Sequence, residues 1–93
     1  MNKEELKREI NNTIDDMSSK IDQMKSKKES VSDALKERYN ANMNKLESKK
    51  EDLQAKYNSL EDKTETKWDE FNSTLNSAKS SFQEGFNELA TIV

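Results

Sequence analysis

The 93-residue sequence contains no cysteine, no histidine and no proline, and it has a single glycine. Without Cys and His, disulfide frameworks, thiol nucleophiles, imidazole acid–base catalysis and the usual zinc sites are excluded. Gly and Pro mark most turns, so their scarcity also excludes all-β and α/β folds, which need a turn roughly every ten residues. Only 30% of the residues are hydrophobic, against roughly 45–50% in an ordinary globular domain. We therefore expect one elongated domain rather than a compact globule.

The charge balance bears on the class of partner. Sixteen Lys and Arg residues oppose nineteen Asp and Glu residues, which gives a net charge of −3. Nucleic-acid binders usually carry a basic surplus, so no nucleic-acid partner is expected. From Trp68 onward the sequence has several acidic residues and one basic residue, Lys79. This balance argues against binding to anionic lipid head groups, which attract Lys and Arg. No apolar stretch approaches the ~20 residues that span a bilayer, and the charged residues 1–5 do not resemble a secretory signal. We expect a cytoplasmic protein, and these features disfavour a membrane partner without removing it from the alternatives.

Acidic residues occur as adjacent pairs at 15–16, 51–52 and 61–62. Helical di-metal sites combine Glu with His, and the EF-hand loop needs a central Gly. We therefore interpret these pairs as solvated surface and predict no metal site. The sequence also has neither a glycine-rich phosphate loop nor a nucleophile–base pair. These features predict a non-enzymatic protein that has no cofactor.

The most informative feature is an apolar stripe that runs from Leu6 to Val93. Its residues recur every three or four positions, and only Lys28, Lys50 and Thr64 interrupt it. So narrow a stripe is typical of a coiled coil. The positions expected to mediate helix–helix contacts, called the seam below, are Ile10, Ile14, Met17, Ile21, Met24, Val31, Leu35, Leu46, Leu53, Tyr57 and Leu60.

The topology depends on where the helix breaks. The aromatic residues Trp and Phe occur only in the last 26 positions, and Thr64 or Thr66 is a suitable helix N-cap. These features favour one long helix over about 3–61, a turn at about 62–66 and a second helix over about 67–91. The second helix covers only part of the first, so this arrangement predicts a self-associating homo-oligomer of unspecified number and helix direction. Alternatively, a break at 26–33 gives three helices of similar length and a monomeric bundle. A single unbroken helix is the third possibility, and its apolar stripe could be buried only by other chains.

The second predicted helix carries an aromatic face, which is the best candidate for a binding surface. This aromatic face consists of Trp68, Phe71, Leu75, Phe82, Phe86 and Leu89. It is either the internal core of the C-terminal helix or a surface for a protein partner or a lipid surface. The acidic, Ser- and Asn-rich character of the remaining residues weakens the lipid interpretation, because interfacial helices are usually rich in Lys and Arg.

Three segments carry a resemblance to a known group of proteins. Residues 21–27 (IDQMKSK), the Lys- and Glu-rich middle and residues 67–71 (KWDEF) resemble small bacterial coiled-coil proteins of about ninety residues, in which a long charged helix is followed by a short acidic segment that opens with a Trp. A small Ser/Gly/Asp cluster usually precedes that Trp, whereas Thr64-Glu65-Thr66 stands here. The resemblance implies an all-α, elongated coiled coil and no particular activity. We therefore predict a structural or scaffolding protein that acts through helix–helix self-association, with lipid or partner binding by the aromatic face as the alternative.

Overall fold

The described part of the chain folds into three α-helices that form a single bundle. The computed structural model describes residues 2–60 and 63–93, with α1 at Lys3–Lys25, α2 at Lys36–Asn58 and α3 at Glu65–Ala90. Two short 3-10 turns, Lys28–Ser30 and Asp33–Leu35, lie between α1 and α2. No strand occurs among these described residues. The all-α prediction is therefore confirmed.

The helix starts follow local sequence signals to different degrees. At the start of α1, the Asn2 side-chain oxygen accepts a hydrogen bond of 2.8 Å from the backbone N–H of Glu5. This bond satisfies one of the free N–H groups in the first helical turn. Thr64 occupies the N-cap position of α3 with extended backbone, but its side chain makes no capping hydrogen bond. Helix α3 therefore depends more on tertiary packing than α1 does.

The helices run up, down and up. Tyr39 contacts Met24 at one end of the bundle and Tyr57 contacts Asn11 nearer the other, so α1 and α2 are antiparallel. Because α2 and α3 also run in opposite directions, α1 and α3 are parallel. The bundle measures 49 × 17 × 16 Å, which is elongated along the helix axes.

The predicted long helix over about 3–61 is wrong, because α1 ends at Lys25 and α2 begins at Lys36. The alternative break at 26–33 coincides with the first connection. A hairpin at this point lets α1, α2 and α3 bury their apolar faces against one another, whereas a continuous helix would leave its N-terminal half uncovered. Residue 62 of the predicted turn at 62–66, and the whole acidic pair at 61–62, lie outside the described residues. Within that turn, Lys63 and Thr64 are non-helical and α3 then starts at Glu65.

The first connection reverses the chain with little departure from helical backbone. Only Val31 (φ −81°, ψ 129°) and Ser32 (φ −65°, ψ 154°) are extended. No described residue, glycine or otherwise, has positive φ. Gly and Pro are therefore not required at this turn, which explains why the sequence marks it so weakly.

Apolar side chains from all three helices form one core along the bundle axis. The buried members are Leu6, Ile10, Met17, Ile21, Met24, Val31, Tyr39, Met43, Leu46, Leu53, Leu60, Trp68, Phe71, Leu75, Phe82, Leu89 and Ile92. Val31 and Leu60 belong to the connections, so both turns are anchored in the core as well. The only hydrophobic residues that are exposed among the described ones are alanines.

Tyr39 ties the start of α2 to the end of α1. Its side chain is buried, and its hydroxyl donates a hydrogen bond of 2.8 Å to the backbone carbonyl of Met24. Burial raises the pKa of the Tyr39 hydroxyl, because a low-dielectric site disfavours the phenolate. The neutral hydroxyl is thus the form that holds the hairpin together.

We expect Tyr39→Phe to lower the free energy of unfolding by about 1 kcal/mol at neutral pH, the usual net value of one hydrogen bond. Above about pH 10, where tyrosine ordinarily ionises, the unfolded wild-type chain loses the Tyr39 proton before the folded chain does. Wild-type stability therefore falls as the pH rises through that region. The phenylalanine variant should lose less stability there, as urea titrations at several pH values would show.

Lys25 makes a second alkaline contribution in that experiment. The hydrogen bond and the charge of the Glu47 carboxylate raise the pKa of Lys25, across an ion pair of 3.0 Å. This pair also weakens as Lys25 deprotonates. The variant keeps Glu47, the main cause of the Lys25 shift, and loses only the smaller contribution that the Tyr39 charge makes to it. A Tyr39→Phe variant with an unchanged alkaline slope would contradict the role assigned to Tyr39.

Candidate functional site

The predicted seam residues lie inside the chain's own core rather than on its surface. Ile10, Met17, Ile21, Met24, Val31, Leu46, Leu53 and Leu60 are buried, and Ile14, Leu35 and Tyr57 are partly buried and pack against the same core. The three helices cover the stripe between them, so the N-terminal half is not left uncovered as predicted. The fold thus brings all of the seam residues together in one continuous core.

The aromatic face is also internal. Phe71, Leu75, Phe82 and Leu89 are buried with Trp68, while Phe86 is partly buried against the core. At the edge of this face, Lys20 Nζ of α1 lies 5.4 Å from the centre of the Phe86 ring. The face is therefore occupied by α1 and α2 and does not form an open binding surface.

Trp68 is the most enclosed aromatic residue of this face, with 1% of its surface exposed. The Tyr57 ring meets it edge-on, with ring centres 6.1 Å apart and an interplanar angle of 82°. From α1, the ammonium groups of Lys3 and Lys7 lie 5.3 Å and 5.4 Å from the centre of the Trp68 ring. Such cation–π contacts contribute about 0.5–1 kcal/mol each at exposed sites. All three helices thus meet at Trp68.

Several core positions were not among the predicted seam residues. Leu6, Tyr39 and Met43 lie on the apolar stripe and were available to the same reasoning, whereas Ile92 lies off it. Asn42 is a buried polar residue, and its amide Nδ2 has no hydrogen-bond partner among the described residues. No sequence pattern would have placed Asn42 in the core, because it lies one position away from the stripe.

Gly85 allows α2 and α3 to approach each other closely. A methyl group added at Gly85 would lie 2.8 Å from Leu46 Cδ2, well inside van der Waals contact. Leu46 has 0% of its surface exposed, so its side chain has little room to move away. A second contact between the two helices lies nearby: Lys49 Nζ of α2 donates a hydrogen bond of 3.1 Å to the backbone carbonyl of Ser81 in α3.

We expect Gly85→Leu to lower the free energy of unfolding by about 1–3 kcal/mol, as overpacking of a core usually does. The loss should outweigh the roughly 1 kcal/mol that helix propensity gains when glycine is replaced. Ser80→Leu is the matched control, because Ser80 is exposed on the same helix and should change stability by less than about 0.5 kcal/mol. Equal stability of the two variants in urea titrations would show that Gly85 is not a packing position.

Shallow grooves between the helices are the remaining candidates for a site. The groove between α2 and α3, with a volume of about 400 Å³, is lined by lysines and by small hydroxyl side chains above Leu53 and Ala78. Its cations are already engaged, since Lys56 pairs with Asp52 at 2.9 Å and Lys49 binds the Ser81 carbonyl. The groove therefore offers no unpartnered charge to a ligand.

The polar surface of residues 2–60 and 63–93 carries ion pairs and no metal-type cluster. Among the described residues, no group of three or more His, Cys, Asp or Glu side chains is placed to hold a metal ion. Ion pairs such as Lys79–Glu9 at 3.2 Å and Arg38–Glu88 at 3.9 Å link the helices. Exposed pairs of this type contribute at most about 1 kcal/mol each. These ion pairs therefore add only modestly to the packing of the three helices.

Comparisons with known proteins found no match among protein-family models, curated proteins or solved structures. Within the part of the chain that the structure describes, no helix has the length and apolar character needed to cross a membrane.

Proposed function

We propose that this chain is a non-enzymatic structural or scaffolding protein that acts through helix–helix association, including association between copies in the manner of a coiled coil. The observation that carries the proposal is where the hydrophobic residues of the chain lie. Apart from exposed alanines, the described ones are all committed to the contacts between helices. The interaction that this sequence encodes is therefore the packing of its own helices against one another.

The character of the outer surface bears on which residues association between copies would use. Exposed positions are mainly charged and polar, and the grooves between helices are shallow. Monomeric proteins that bind through a fixed apolar patch expose several hundred Å² of contiguous hydrophobic surface. The described surface has no comparable patch, so association is expected to use the seam itself.

Binding of a lipid surface or a partner protein by the aromatic face would require α3 to leave the bundle. Since Trp68 is the single tryptophan and is buried, its emission reports this event directly. We expect vesicles of neutral or anionic phospholipid to leave the emission wavelength of Trp68 unchanged. A vesicle-dependent shift with retained helicity would favour the membrane alternative over the proposed function.

The direct test of the proposed function is the solution mass over a wide concentration range. Sedimentation equilibrium should show a multiple of 10.8 kDa as concentration rises, with high helicity by circular dichroism on the same samples. Samples refolded from urea at low and at high concentration should be compared, because association through the seam requires buried contacts to open. A fully helical monomer under all of these conditions would overturn the proposal.

A further inference from the structure

We propose that two copies of this chain associate by exchanging α1, with the connection at residues 26–35 straightening so that α1 and α2 become one helix. Each α1 then packs on α2 and α3 of the other copy. This inference rests on the proposed function and specifies both the partner and the route. Exchange of an identical element is a low-cost way to form a closed, symmetric dimer.

The backbone of the connection lies close to the conformation that a straight helix needs. Ser26 is helical (φ −66°, ψ −17°), Lys27 is near it (φ −97°, ψ 1°), and six further residues form the 3-10 turns. Only Val31 and Ser32 are extended, and both already have negative φ. Straightening therefore requires mainly a change of ψ at these two residues.

The sequence of the connection is compatible with a helix. Residues 26–35 contain neither Gly nor Pro, the two residues that disfavour a helix interior most. The stripe register also continues through the connection in steps of three and four, by way of Lys28, Val31 and Leu35, of which only Lys28 is polar. A helix spanning residues 3–58 would thus keep its apolar residues on one side over about 84 Å.

The second copy supplies the same contacts that the monomer makes internally. The contact face of α1 consists of Leu6, Ile10, Met17, Ile21 and Met24, all buried in the core. Polar contacts fix its position on α3, including Lys79–Glu9 at 3.2 Å and Lys20–Gln83 at 3.2 Å. An unrelated helix would have to reproduce both the apolar spacing and these pairs. The α1 helix of another copy reproduces them by identity.

A proline at Ser32 separates the two states. Ser32 already has the φ of −65° that proline fixes, and Val31 before it is extended, as residues before proline prefer. The Ser32 N–H donates no hydrogen bond among the described residues. Ser32→Pro is therefore compatible with the hairpin, whereas it would break a straight helix. Ser32→Ala is the matched control, because it removes the same hydroxyl and favours the helix.

The experiment compares wild type, Ser32→Pro and Ser32→Ala after refolding from urea at low and at high protein concentration. Sedimentation equilibrium gives the mass, small-angle X-ray scattering the maximum dimension, and urea titration the integrity of the monomer. We expect wild type and Ser32→Ala to form dimers longer than about 80 Å, against the 49 Å bundle. Ser32→Pro should remain a stable helical monomer, with dimerisation weakened at least about a hundred-fold.

The possible outcomes separate this inference from the proposed function. If wild type and Ser32→Pro dimerise equally, exchange of α1 is wrong, while association between copies stands. A wild-type dimer no longer than the bundle would also overturn the exchange. If all three proteins are helical monomers at every concentration, both the exchange and the proposed self-association are wrong.

Discussion

Replacing Trp68 with alanine should lower the free energy of unfolding by about 3–5 kcal/mol, the usual loss for a large buried aromatic residue. Trp68 has 1% of its surface exposed and joins all three helices through Tyr57, Lys3 and Lys7. Truncation removes the ring that these side chains contact and leaves a cavity at one end of the bundle. The loss is a large share of the roughly 5–14 kcal/mol expected for a chain of this length.

Urea titration followed by far-ultraviolet circular dichroism measures this effect without relying on tryptophan emission. Trp68→Phe is the informative control, because Trp68 Nε1 has no hydrogen-bond partner among the described residues. The phenylalanine variant therefore loses volume but no hydrogen bond, and its destabilisation should be less than half that of Trp68→Ala. Equal losses in the two variants would mean that an interaction of Nε1, rather than packing, matters at this position.

Leu75→Asp should abolish the folded bundle at neutral pH. Leu75 lies near the middle of α3 with 0% of its surface exposed, so the variant would place an unpaired carboxylate in the apolar core. Burying an ionised carboxylate without a partner is far more costly than losing a methyl group, and the lost leucine alone would cost about 2–5 kcal/mol. Together these losses approach the whole stability of the chain.

The next residue along the helix provides a matched control for this variant. Asn76 is exposed, so Asn76→Asp introduces the same side chain one position away and should change the stability by less than about 0.5 kcal/mol. The emission of Trp68 should shift to longer wavelength in Leu75→Asp and remain unchanged in Asn76→Asp. Retention of a buried Trp68 and full helicity in Leu75→Asp would show that α3 does not pack through this face.

The core could be predicted from the sequence because each helix buries one narrow face. A spacing of three and four residues selects a single side of a helix, and every buried hydrophobic residue except Ile92 lies on the apolar stripe. Asn42 was not predictable, because its burial depends on where α2 meets its neighbours. The close approach at Gly85 is likewise a property of the pair of helices rather than of either one.

The number of helices was harder to predict because the first connection needs neither Gly nor Pro, as none of its residues has positive φ. Two of the three interruptions of the stripe, Lys28 and Thr64, fall in the two connections, while Lys50 lies within α2. These interruptions were the sequence signals for a helix break. The prediction placed its break at Thr64 and kept the break at Lys28 only as an alternative. The choice between a long helix and a hairpin depends on the burial of α1 against α2 and α3, a long-range contribution that local pattern does not contain.

The parallel orientation of α1 and α3 has a mechanical consequence. With an odd number of helices, the start of α1 and the end of α3 lie at opposite ends of a bundle 49 Å long. A pulling force applied between these two points would act along the helix axes and load the contacts between α1 and α3 in shear. Many core contacts would then have to yield together rather than one after another. An axial force would therefore meet more resistance in this bundle than in one whose chain starts and ends at the same end.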